Sequence, residues 1–133
     1  MQDRPSAEEL VRAVKEHLER EVIPALKDPK LRFQTLVAAH VLSVVEREMG
    51  LGERALRDEL AGLRALRGRP EAPAGSTLGE LEAEVRESNR ALCAAIRSGG
   101  GEDPARVSAH VRRVVLAKLA IANPAYKSLR SQP

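Results

Sequence analysis

Three histidines, one cysteine and a stripe of arginines are the side chains here whose types and spacing could do chemistry. His40 stands inside Leu36–Val45, with Ser43 close to one helical turn further on. A buried imidazole must satisfy both ring nitrogens, so His40 reads as a core hydrogen-bonding group or as the polar group of an aliphatic ligand pocket. His17 precedes Glu21 by four residues, which puts both on one helix face. A metal site needs three or four ligands, and no Glu-x-x-His, His-x-x-x-His or Cys-x-x-Cys accompanies the pair. A surface hydrogen bond is therefore the expectation, and no metal or cofactor is assigned. Cys93 has Arg90 and Arg97 within one turn, which would favour a thiolate, but it lacks a base and reads as a small packed residue. Arg106, His110 and Arg113 share a helix face that could meet phosphates. Groove reading or base stacking normally adds motifs or aromatics, and the chain has one Phe, one Tyr and no Trp. No specific nucleic-acid partner is expected.

No serine stands in a Gly-x-Ser-x-Gly elbow. Gly99-Gly100-Gly101 follows a helix pattern instead of joining a strand to a helix, so it reads as a linker and not a phosphate cradle. No catalytic residue is assigned, and an enzyme is not expected.

The elements that must hold these residues read as helices throughout. With 133 residues, 43% apolar and 2% aromatic, the core must be aliphatic and fits one domain, 1–133. Ser6-Ala7-Glu8-Glu9 has the form of a capping box, after which Leu10, Val14, Leu18 and Val22 recur at helical spacing. Pro24 is tolerable only near that helix's end. A second helix, about 30–49, includes the run Leu36–Val45, apolar on all sides, so it is expected to be central and wrapped by the others. Gly50 is its expected stop, in a left-handed cap. A third helix, about 53–66, carries Leu56, Leu60, Leu63 and Leu66. Two prolines and two glycines make 67–76 a flexible loop. Thr77-Leu78-Gly79-Glu80 opens a fourth helix with Leu81, Val85, Leu92 and Ile96, ending at Ser98. Asp103-Pro104 opens a fifth, which Pro124 ends. The expectation is an all-α, single-domain bundle of about five helices with a short tail, 124–133. Tyr126, one of two aromatics, is expected to fold back onto the core; the competing reading is a free arm with Lys127 and Arg130.

Net charge is +3, unevenly spread: six basic and no acidic residues follow Pro104, while 1–103 carries 16 basic and 19 acidic residues. The basic third either pairs internally with acidic neighbours or meets an anionic partner. One cysteine excludes an intramolecular disulfide, the N-terminus has no signal-peptide pattern, and no apolar run suits a membrane span. A cytoplasmic protein with no membrane partner is expected.

Three blocks resemble a family. They are Pro5–Val14 continuing through Leu18–Pro24; Arg32-Phe33, Val37-Ala38-Ala39 and Arg47-Glu48; and Lys118–Tyr126. Together they resemble a bacterial domain-of-unknown-function family of small all-helical proteins, fused to or encoded beside aminoglycoside-phosphotransferase-like kinases, often near acyl-CoA dehydrogenases. The family pattern has an asparagine where this chain has His40. No catalytic residue is assigned to that family, and none carries over. This chain has no His-Gly-Asp loop and no Asp-x-Asp pair of the kinase itself. The resemblance implies a non-enzymatic accessory or interaction domain whose partner is a phosphotransferase-like kinase. A homodimer is a separate expectation. The alternative is a small-ligand or acyl-CoA-related binding domain with an aliphatic pocket near His40. Candidate pocket or partner contacts are His40, Arg106, His110, Arg113 and Tyr126.

Overall fold

Ser6 begins the first helix by local hydrogen bonding. In the computed structural model, which describes residues 4–70 and 72–126, the Glu9 amide donates to Ser6 Oγ at 3.2 Å. The Ser6 amide donates to Glu9 Oε2 at 2.7 Å in return. This reciprocal box satisfies two amides that a helix start otherwise leaves without partners. Helix α1 (Ala7–His17) continues through one π-helical turn, Leu18–Val22, into a single turn α2 (Ile23–Ala25). The wide turn falls just before Pro24, which has no amide to give the Arg20 carbonyl. It also changes the register assumed for the pair His17 and Glu21.

One helix, α3 (Pro29–Leu66), replaces the two expected over 30–66. The expected stop at Gly50 does not form: positive φ among the described glycines occurs at Gly68, Gly99 and Gly101. Gly50 and Gly52 therefore sit in ordinary right-handed helix. Their propensity cost, about 1 kcal/mol each relative to alanine, is opposed by strong helix formers on either side. Pairs one turn apart, Glu53 with Arg57 and Arg54 with Asp58, span the region. The left-handed stop comes at Gly68, φ 63°, where the Arg69 amide reaches back to the Arg64 carbonyl at 2.9 Å.

The chain divides into two compact units, Met1–Leu51 and Gly52–Pro133, with α3 contributing to both. In the first unit, α1 and α3 are tied by Glu46, which accepts from Arg12 Nε at 2.6 Å and Lys15 Nζ at 2.5 Å. Hydrogen bonds from Lys15 and then Arg12 hold the Glu46 carboxyl below the usual carboxylate range, against the opposing effect of burial. The expectation of a central, fully wrapped helix over 30–49 is corrected here. Ala39 is buried, but Leu36, Val37, Val41 and Val45 are exposed. One helix can cover only one side of another, and α1 takes the side that carries Glu46.

In the second unit, the C-terminal part of α3 packs with α4 (Leu78–Arg97) and α5 (Pro104–Ala122). The core is Leu60, Leu63, Leu66, Leu81, Val85 and Leu92, with Leu56, Ala72 and Val107 against it. Thr77 and Glu80 make the second expected capping box, and Asp103 Oδ1 accepts from the Ala105 amide at 3.0 Å to open α5. The segment expected to be a flexible loop is held at several points. Arg64 donates to the Pro70 carbonyl at 2.9 Å, Arg57 to the Ser76 carbonyl at 3.3 Å, and Ala72 joins the core. Among the described residues there are no strands, so the class is all-α, with four main helical stretches instead of five.

Candidate functional site

Among the described residues, the buried polar side chains lie in the second unit: Glu59, Ser88 and His110. Glu59 points inward from α3 and is 6% exposed. Its position follows from the helical repeat: Leu56, Glu59, Leu60 and Leu63 are steps of three and four residues along one face. A carboxylate taken from water needs compensating donors. Asn89 Nδ2 on α4 donates to Glu59 Oε1 at 2.9 Å, and Lys118 Nζ on α5 lies 3.1 Å from Oε2. Three helices thus meet at one carboxyl group.

His110 on α5 lies in the same region, 3% exposed. Its ring occupies the space beside Gly62 of α3. A Cβ built at Gly62 would fall 2.3 Å from His110 Nδ1 and 2.7 Å from Cε1. The glycine in mid-helix therefore has a packing reason: only a missing side chain admits the imidazole. Burial holds the His110 pKa below the ordinary histidine range; the Arg113 charge adds to this, and Glu59 opposes it. The sign follows directly. The unfolded chain binds a proton at position 110 that the folded chain resists. Stability is complete above the ordinary value of ~6.5 and falls as pH drops through it toward the depressed folded value. Urea unfolding at about pH 7.5 and about pH 5.5 measures this linkage. A lower midpoint is expected in the more acidic buffer, and His110→Gln should shrink the difference.

Arg106, expected on the same anion-facing stripe, instead donates to the Ala65 carbonyl at 3.1 Å, at the C-terminal end of α3. There a cation also meets the negative end of the helix dipole. Arg113 is exposed but electrostatically coupled to His110. The structure thus turns two members of the expected stripe, Arg106 and His110, toward α3. Part of the basic C-terminal third is spent internally, as Lys118 on Glu59 also shows. His40 is exposed in the first unit, on α3. Tyr126 is 47% exposed, so its ring is not buried in the core as expected; its amide bonds the Asn123 carbonyl at 3.0 Å. Lys127 and Arg130 lie outside the described residues. Cys93 is exposed on α4 and not packed.

Gly62, Glu59, Asn89 and Lys118 escaped the sequence reading. Three of them carry a local mark, an acid within a leucine stripe, a glycine three residues beyond it and an asparagine four residues after the core residue Val85, but nothing in the sequence joins these to one another or to Lys118. Chemically the cluster is a paired carboxylate beside a neutral imidazole packed onto backbone, an arrangement that joins helices.

A separate cavity of about 490 Å³ lies between the end of α4 and the start of α5, lined by Leu92, Ile96, Gly100, Pro104 and Val107 among others. His40 does not line it. Among the described residues, no group of three or more His, Cys, Asp or Glu is placed to hold a metal ion, and no helix is long and apolar enough to cross a membrane.

The model of a family described as a domain of unknown function, DUF6285, matches residues 21–126. The chain belongs to the DUF6285 family. The DUF6285 match takes in α3, α4, α5 and the whole polar cluster, and it begins after α1. The resemblance read from Pro5 to Arg20 therefore lies outside it. No curated protein and no solved structure matches this chain.

Proposed function

We propose that this DUF6285 chain is a non-enzymatic accessory domain that binds another protein, its partner a phosphotransferase-like kinase. The observation that carries the reading is the outer face of α5. Val111 and Val115, one turn apart, are each about half exposed, with the exposed Arg112 beside them. Two adjacent exposed apolar side chains with a cation beside them are compatible with a small protein-binding surface. The inward face of the same helix, with His110 and Arg106, is already engaged with α3. That division leaves Val111 and Val115 for an outside partner. The identity of that partner rests on the family resemblance. Calorimetric titration of the full chain against the purified kinase tests it. Saturable binding is expected, with at least tenfold weakening in Val111→Glu and an unchanged melting temperature; a centrally placed apolar residue commonly accounts for that much. No heat of binding, or equal binding by the variant, would contradict the proposal.

A second reading is favoured by the cavity between α4 and α5. Its volume falls within the range of small-molecule sites, and its lining sets Leu92, Ile96 and Val107 beside glycines 99–101, Glu102 and Ser108. It would suit an apolar ligand, away from His40.

A further inference from the structure

Along the N-terminal part of α3, Phe33, Val37, Val41 and Val45 stand four residues apart, and all four are exposed, Phe33 at 66%. They form one inclined ridge, about 18 Å long at 1.5 Å per residue, which winds about 120° around the helix because four residues exceed one turn. This ridge lies within the first unit and takes no part in the α5 face discussed above. Its ends are charged with opposite signs. Lys30 lies three residues before Phe33, and Glu48 lies three residues after Val45, both exposed. Eighteen residues make five complete turns, so Lys30 and Glu48 sit in line on the same edge of the helix.

The order is therefore lysine, four apolar residues, glutamate, with matching spacing from either end. A surface that is symmetric in its apolar pattern and antisymmetric in its charge is complementary to itself when reversed. We propose that this ridge is a self-association face, and that its occupant is the same ridge of a second copy of the chain, running antiparallel. A two-fold axis level with residue 39 brings Phe33 level with Val45 of the other copy, and Val37 level with Val41. It also sets Lys30 against Glu48 at both ends. Each residue pair then occurs twice, as an isologous interface requires. Parallel pairing would instead place Lys30 beside Lys30 and Glu48 beside Glu48. The charges thus select both the partner and the direction.

Sedimentation equilibrium of the full chain over a range of concentrations is the test. A monomer–dimer equilibrium is expected. Val37→Glu with Val41→Glu should abolish the dimer while leaving the circular dichroism helical, since both sites are exposed. Lys30→Glu alone and Glu48→Lys alone should each raise the dimer Kd by about tenfold, because both symmetric pairs turn repulsive. Mixing those two single variants should restore association, as heterodimers, since every end then meets its opposite. A chain that stays monomeric at all concentrations would overturn the proposal. So would a dimer indifferent to the two valine substitutions, or one whose charge variants do not recover on mixing. None of these results bears on binding at Val111 and Val115, so the two proposals fail separately.

Discussion

Leu60→Ala is expected to cost about 2–5 kcal/mol, by lost transfer energy plus the cavity left behind. Leu60 is completely inaccessible to solvent and packs in one core with Leu63 and Leu81, with it the largest fully enclosed side chains among the described residues. These residues come from α3 and α4 and leave a truncated side chain little room to be replaced by collapse of one helix alone. The contrast lies on the same helix. Val41→Ala, at a site 53% exposed, is expected to change the stability of the monomer by no more than about 0.5 kcal/mol. A central helix over 30–49 would instead place a large cost within Leu36–Val45; in the structure Leu42, in the middle of that run, is only half-buried. Chemical denaturation of the two variants, at a concentration below any self-association, decides between the rankings.

Gly62→Ala should destabilise the protein, although glycine-to-alanine in the interior of a helix ordinarily gains about 1 kcal/mol. The new Cβ would lie 2.3 Å from His110 Nδ1, too close for any real contact. The imidazole is a rigid ring in a buried site, so relief demands that α3 and α5 move apart. Overpacking of this kind costs about 1–3 kcal/mol. A paired substitution separates this cause from a general intolerance of position 62. With His110→Ala already in place, the space is free and alanine at 62 should recover its helix advantage. The two sites should therefore show strong non-additivity in a double-mutant cycle. Additive losses would mean that the ring is not where the structure puts it.

The local beginnings and ends of helices were legible in the sequence. Ser6 with Glu9 and Thr77 with Glu80 form the boxes their spacing implies, and Asp103-Pro104 opens α5. These depend on hydrogen bonds within a few residues, so no distant partner can overrule them. Gly50 was misleading because glycine permits a stop without requiring one, and the flanking helix-forming residues carried α3 through it. The run 36–45 was misleading for another reason. Apolar periodicity reports which surface avoids water but not what covers it, and a single α1 left part of that surface open. At the polar cluster, His110 was legible as a titratable group on a basic helix. Its neighbours Glu59, Asn89 and Lys118 were not, because they are 30 and 59 residues apart along the chain and meet only when three helices pack.

The central claim is that the core of the second unit lies at Leu60, Leu63 and Leu81, while the apolar run Leu36–Val45 of the first unit is in large part surface. Hydroxyl-radical labelling read by mass spectrometry tests this most directly, because Phe33 and Met49 on the first unit are both exposed and both reactive. At high dilution, Phe33 and Met49 are predicted to be oxidised while Leu60, Leu63 and Leu81 stay protected, with Phe33 becoming protected as concentration rises. Protection of Phe33 at every concentration, in a chain that sediments as a monomer, would show that the segment is core after all and would contradict the account.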